Sequence, residues 1–191
     1  MSKIFAFTTC ILEDTLINPI LNNEIFKCLK EEEDKSNGNF KSNEGGFQTK
    51  PILNKLINSC ILNKSAELIM NNYTSNNKIY FNLTNLWINK NKKGDFNVLH
   101  RHGKSHFSGC FYLKVPEKKG EIIFRLEKYF ELYEDLIIDE HNEFNDFFKI
   151  TPKNNMFLIF PSNLYHMVNP HNEDMERISV SFNIDLKKNL I

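Results

Sequence analysis

The feature that most constrains the fold of this chain is a change of hydrophobic period near residue 78. Beyond that point Ile79, Phe81 and Leu83 alternate with Tyr80, Asn82 and Thr84, whereas upstream the apolar residues recur at helical spacing. Strand side chains alternate faces with period two, and helical ones return to a face every three or four residues. The order is therefore helices first, strands afterwards. Short β-like runs then recur between turn-forming clusters at Gly94-Asp95, Gly103-Lys104, Pro116 to Gly120, Pro152 to Asn155 and Asn169 to Asn172. Several short strands at that spacing predict a sandwich or barrel.

Upstream, Leu16, Ile20, Leu21, Ile25, Phe26 and Leu29 predict a helix over residues 15–32, ending in the charge run Lys30 to Asp34. The polar, glycine-containing stretch Ser36 to Gly46 reads as a loop. A second helix is predicted from near Thr49, with Pro51 in its first turn and an apolar stripe of Ile52, Leu56, Ile57, Cys60, Ile61, Leu68 and Ile69. Met1 to Leu12 reads as a first strand rather than a signal peptide, because Glu13 and Asp14 follow with no small-residue cleavage site. Such a strand, if exposed, offers an edge for a homodimer. The expectation is one domain, with a strand and helices over residues 1–77 packed on a mainly β core over residues 78–186. That core is expected to be a double-stranded β-helix, a cupin-like jelly roll.

The 191 residues suffice for a sizeable hydrophobic core. Twenty-four Lys and Arg balance twenty-four Asp and Glu, so charge implies no nucleic-acid surface, and a small-molecule or protein substrate is expected instead. No stretch approaches the ~20 apolar residues of a membrane span, and a cytoplasmic location is expected. Cys10, Cys28, Cys60 and Cys110 never form Cys-x-x-Cys and predict free thiols. Seventeen Phe and six Tyr are suited to filling a barrel and lining its pocket.

Three groups of residues carry candidate chemistry. His100-Arg101-His102 follows the extended run Asn97-Val98-Leu99, so two imidazoles would share one strand face near a barrel mouth. His166, on a later strand, would close a triangular metal-binding face and leave the opposite positions open. Alone, it reads as a core or surface imidazole. Arg177 and Ser179 share a face of a third strand, where a guanidinium fork and a hydroxyl would hold a carboxylate. The bland alternative is a surface arginine paired with Glu176 or Asp174. His106 competes as a ligand, while His141 and His171 read as surface residues. Lys90, Lys92 and Lys93 form either a solvated loop or a patch that steers an anionic substrate.

The ordered set of motifs resembles the 2-oxoglutarate and iron(II)-dependent oxygenases, and more narrowly a branch found in marine bacteria and their phages. The motifs are His-x-His, then Ser108-Gly109-Cys110-Phe111-Tyr112-Leu113, then Gly120, Ile122 and Phe124, then Phe160-Pro161-Ser162 to His166, then Arg177-Ile178-Ser179 with Ser181-Phe182-Asn183. Upstream, Gly45-Gly46-Phe47-Gln48, Trp87-Ile88-Asn89 and Gly94-Asp95-Phe96-Asn97 also match, so the likeness covers roughly residues 36–185. It implies a double-stranded β-helix with Fe(II) on His100, His102 and His166, and 2-oxoglutarate chelating the metal with its far carboxylate on Arg177 and Ser179. Tyr112 falls where related prolyl hydroxylases place a tyrosine that touches 2-oxoglutarate, and Asn97 is a further pocket candidate. The implied reaction uses O2 to hydroxylate a substrate and releases succinate and CO2.

This sequence departs from the family pattern where His102 replaces the carboxylate of His-x-Asp/Glu. That exchange raises the charge of the metal centre by one unit and also suits zinc or nickel. Two other readings stand beside the first. One is a three-His dioxygenase of the cupin kind that does not use 2-oxoglutarate; the other is a non-catalytic jelly-roll binding protein.

Overall fold

Asn18 starts the first helix: its side-chain oxygen accepts a hydrogen bond from the Leu21 N–H at 3.0 Å, and Pro19 occupies the first turn where no N–H is needed. In the computed structural model, which describes residues 9–39, 41–73, 78–117, 120–125 and 147–188, α1 runs from Pro19 to Lys35. It thus begins later than the periodicity predicts and carries the charge run within it. Leu21, Ile25 and Leu29, spaced four apart, are buried. Helix α2 (Lys55–Asn72) also begins later than predicted, capped by Asn54, whose side-chain oxygen accepts from Ile57 N–H at 3.1 Å. Residues 49–52 run alongside a strand instead, with Thr49 and Ile52 donating to the Ile88 and Leu86 carbonyls at 3.0 and 2.8 Å. Pro51 explains the difference, since the residue before a proline is biased to extended backbone.

The strands are β1 (Leu12–Thr15), β2 (Asn43–Glu44), β3 (Phe47–Gln48), β4 (Ile79–Asn91), β5 (Phe96–His100), β6 (Phe107–Lys114), β7 (Ile122–Arg125), β8 (Phe147–Ile150), β9 (Met156–Pro161), β10 (Tyr165–Val168) and β11 (Arg177–Lys188). They form two antiparallel sheets, β1-β9-β6-β11-β4-β3 and β2-β5-β10-β7-β8, as the jelly-roll reading expects. The sheets also recruit β1, β2 and β3 from upstream of residue 78. The first strand starts at Leu12, where the predicted one ends; residues 1–8 lie outside the described residues. Residues 36–46, read as a loop, contain β2. Gly45 and Gly46, at φ +68° and +63°, turn the chain from β2 in one sheet to β3 in the other, a conformation that favours glycine.

Both helices pack on the outer face of the larger sheet. Ile57, Ile61 and Ile69 of α2 share one buried core with Leu21 and Ile25 of α1 and with Leu86, Ile88, Phe111, Val180 and Ile184 of the sheet. Each such side chain contributes about 1.5–3 kcal/mol on burial. A second apolar cluster, including Ile122, Phe124, Leu158 and Phe160, lies between the sheets. Gly109 on β6 is required by close packing: a Cβ there would run into the Phe182 ring and sit 2.6 Å from the Leu158 carbonyl oxygen. All four cysteines are free. Among the described residues no helix is long and apolar enough to cross a membrane.

Candidate metal centre

Strand pairing places two imidazoles at opposed positions. β5 and β10 run antiparallel with His100 directly opposite His166, and their ring centroids lie 4.3 Å apart. His102 arrives differently from the sequence argument, because β5 ends at His100. Past the strand end, the His102 N–H donates to the Ser162 carbonyl at 2.8 Å, which turns its ring back to 5.1 Å from His100 and 5.2 Å from His166. One nitrogen from each ring lies within 4.8 Å of the others.

The tautomers suit metal binding. Nδ1 of His100 lies 2.7 Å from the Val98 carbonyl, and Nδ1 of His166 lies 3.0 Å from the Leu164 carbonyl, each two residues upstream. A carbonyl accepts only, so each Nδ1 carries the proton and each Nε2 keeps its lone pair for the centre. Burial, followed by the neighbouring His100 and Lys41 charges, pushes His102 down to about 4. Burial and the other two imidazoles push His166 down to about 3, and burial lowers His100 as well. All three rings are neutral at pH 7, the state a metal requires.

One cavity connects these rings to the predicted clamp. It is lined by His100, His102 and His166 and also by Arg177, Ser179, Tyr112 and Asn97. In β11, Arg177, Ser179, Ser181 and Asn183 alternate inward, and β4 sets Asn91, Asn89, Trp87 and Asn85 opposite them in register. Tyr112 and Cys110 of β6 face Ser179 and Ser181 on the other side. Arg177 is 2% exposed. Its Nη1 donates to the Gly120 carbonyl at 3.1 Å, while its Nε has no partner. Burial pulls its pKa down, opposed mainly by Tyr112, yet a guanidinium stays charged at neutral pH. The surface alternative fails, for Glu176 faces Lys90 at 3.8 Å and Asp174 faces Lys93 at 3.4 Å. Asn89 Oδ1 is a second buried polar atom with no partner in the same cavity. Asn97 is held through its side-chain N–H to Ser42 Oγ at 3.3 Å.

Other expectations shift. His106 lies outside the cluster, its Nδ1 accepting from Leu186 N–H at 3.2 Å, because its backbone N–H donates to the Ile184 carbonyl at 3.1 Å and ties it beside β11. His171 is not at the surface but 1% exposed, packed where Gly120 lets the chain pass close to Arg177. His141 lies outside the described residues. Lys90 is engaged with Glu33 as well as Glu176, so this lysine is tied to α1 rather than directed at the site. The sequence reading gave no role to Trp87, Ser108, Ser181 or Asn183, all of which line this cavity or the adjoining outer one. Extending the period-two step from Arg177 and Ser179 would have found two of them.

Comparison with known proteins bears on this arrangement. A family profile described as "Putative 2OG-Fe(II) oxygenase" matches residues 85–183, which contain all three imidazoles and Arg177. No curated protein sequence matches the chain. Among solved structures, the viral collagen prolyl hydroxylase of Paramecium Bursaria Chlorella virus-1, in its 2OG complex, is 16% identical, with TM-score 0.58 over 91% of this chain and 94% of its own. HygX from Streptomyces hygroscopicus, with nickel and 2-oxoglutarate bound, is 13% identical, with TM-score 0.62 over 93% of this chain and 83% of its own. The chain spans 43% of a 2OG-Fe(II) oxygenase-family oxidoreductase from Burkholderia pseudomallei, at 16% identity over 55% of this chain and TM-score 0.42, a likeness too partial to carry an argument. At these identities the structural likenesses establish the jelly-roll fold.

Proposed function

This chain belongs to the matched 2OG-Fe(II) oxygenase family, and from that premise we propose that it is a 2-oxoglutarate- and iron(II)-dependent dioxygenase that hydroxylates a small-molecule or protein substrate. The observation that carries the reading is the buried Arg177, which ion-pairs with no carboxylate among the described residues, in the same cavity as three converging neutral imidazoles. An unpaired buried charge is costly, and the five-carbon dicarboxylate supplies the missing anion at one end and metal-chelating oxygens at the other.

His100, His102 and His166 would hold the iron through nitrogen lone pairs, two of them oriented by their backbone carbonyl contacts. Arg177 would donate to the far carboxylate of 2-oxoglutarate, with Ser179 and Tyr112 adding hydroxyl donors from adjacent strands. Burial holds the Tyr112 phenol well above its ordinary pKa, so it stays protonated and able to donate. Ile122, Phe160 and Val168 give the cavity an apolar wall that excludes water. Iron with 2-oxoglutarate and O2 would supply oxidative decarboxylation to succinate and CO2 coupled to hydroxylation of a C–H bond. With His102 in place of a carboxylate, the ligand set is neutral, which strengthens the centre's attraction for an anionic co-substrate.

The same neutral ligand set favours a second reading, a three-His dioxygenase without 2-oxoglutarate. Arg177 weighs against it, since that chemistry leaves the buried cation unmatched. The test is anaerobic addition of Fe(II) and 2-oxoglutarate, followed by air. A weak visible charge-transfer band and succinate release that requires 2-oxoglutarate are expected. No band and no succinate would overturn the proposal.

A further inference from the structure

Outside the imidazole face lies a second cavity of about 360 Å³, lined by Lys41, Gln48, Asn85, Trp87, Arg101 and Asn183 together with His100 and His102. That volume is in the range of small-molecule sites. His100, His102, Trp87 and Ser42 line both cavities, so an occupant of the outer one lies against the metal-binding face. Among the described residues neither cavity has an Asp or Glu in its wall, although the chain carries as many acids as bases.

The wall is instead built of donors. Gln48 is 4% exposed and its carboxamide makes no hydrogen bond to a described residue, so a buried polar side chain faces the cavity without a partner. Asn183 Nδ2 donates to Asn85 Oδ1 at 2.7 Å, and Asn183 Oδ1 accepts from Ser108 Oγ at 2.7 Å. That chain uses the Asn85 amide oxygen and leaves its N–H2 without a partner among the described residues. Lys41 forms no ion pair with a described residue, and Arg101 is held with its guanidinium carbon 4.7 Å above the Tyr165 ring.

Building on the oxygenase reading, we infer that this outer cavity binds the substrate and that the substrate is a small molecule bearing an oxyanion, a carboxylate or phosphate. The oxyanion is held by Lys41 and Arg101, with Gln48 and Asn85 donating to it or to neighbouring acceptors. In the lysine cluster at residues 90–93, Lys90 and Lys93 are engaged by Glu33, Glu176 and Asp174, as a solvated loop would be. Trp87 forms the flat wall beside His102, at 5.7 Å between ring centroids.

Trp87 is the chain's only tryptophan and reports occupancy directly. In anaerobic protein loaded with Fe(II) and 2-oxoglutarate, its fluorescence is titrated with 3-phenylpropionate, the neutral isostere 3-phenylpropionamide, and phenyl phosphate. At least one anion is expected to bind about tenfold more tightly than the amide, the effect of one charge-assisted hydrogen bond, and the better anion identifies the oxyanion. Lys41→Gln and, separately, Arg101→Gln should each erode that preference. Equal titration by amide and anions, or a preference that survives both substitutions, overturns the inference. The charge-transfer band is read on the same samples before titration, so its absence counts against the oxygenase reading while the Trp87 titration still decides the chemistry of the outer cavity.

Discussion

On β11, Ile178, Val180 and Ile184 turn toward the helices, while Arg177, Ser179 and Ser181 turn toward the space between the sheets. β4 divides the same way, with Leu86 and Ile88 outward to the helices and Trp87 and Asn89 inward. One strand pair therefore carries two surfaces of opposite chemistry, separated only by the pleat. The helix-backed face is apolar and close-packed. The cavity face leaves Arg177 Nε and Asn89 Oδ1 buried without partners. The first face holds the protein together; the second gives up stability to keep binding groups poised.

The largest effect that would break this division is expected from Phe111→Ala on the helix-backed face. Phe111 is fully buried against Phe157, with ring centroids 6.2 Å apart. Its loss should cost about 3–5 kcal/mol of stability, measured by denaturant unfolding, with 2-oxoglutarate affinity unchanged in the folded fraction. A matching loss of affinity would mean that the two faces are not separable.

Arg177→Met sharpens the contrast from the other side. Removing a buried cation that ion-pairs with no described carboxylate should leave thermal stability unchanged or raise it. The affinity for 2-oxoglutarate should nevertheless fall by about 2–5 kcal/mol, the cost of truncating one partner of a buried charged pair. Calorimetric titration and a melting curve on the same variant read both quantities, and a clear drop in melting temperature would contradict the assignment.

The smallest effect comes from acid. His102 and His166 sit at about 4 and about 3 when folded, below the ordinary histidine value of about 6.5. Between those values the unfolded chain takes up protons that the folded metal-free protein refuses, so stability is full above about pH 6.5 and is lost on acidification through the folded values. By pH 5 each imidazole should cost on the order of 2 kcal/mol. His166→Asn should flatten that part of the stability profile, whereas Phe111→Ala should lower the whole profile without changing its shape.

Much of this was legible in the sequence. The period-two alternation after residue 78 predicts strands, and the turn clusters separate them where the strand boundaries fall. His100, His102, His166 and Arg177 stand out because imidazole and guanidinium groups are rare in such surroundings. The helix starts were less legible: each apolar stripe begins upstream of its helix, at Leu16 and Ile52, and only Asn18 and Asn54, which cap the orphan N–H groups, mark where each helix begins. His171 reads as a surface residue because its neighbours in sequence are polar, yet its neighbours in space are Asn91 and the close turn at Gly120.

Local pattern by itself determined which residues alternate, where the chain turns and which side chains have the chemistry to bind metal or an anion, because those properties depend on each residue and its nearest neighbours along the chain. Tertiary structure decided that His100 lies opposite His166, that His102 returns past a strand end, and that Gln48 reaches the same mouth from β3. Those placements depend on register between strands distant in sequence, which is set by how the sheets pack and close rather than by any single strand.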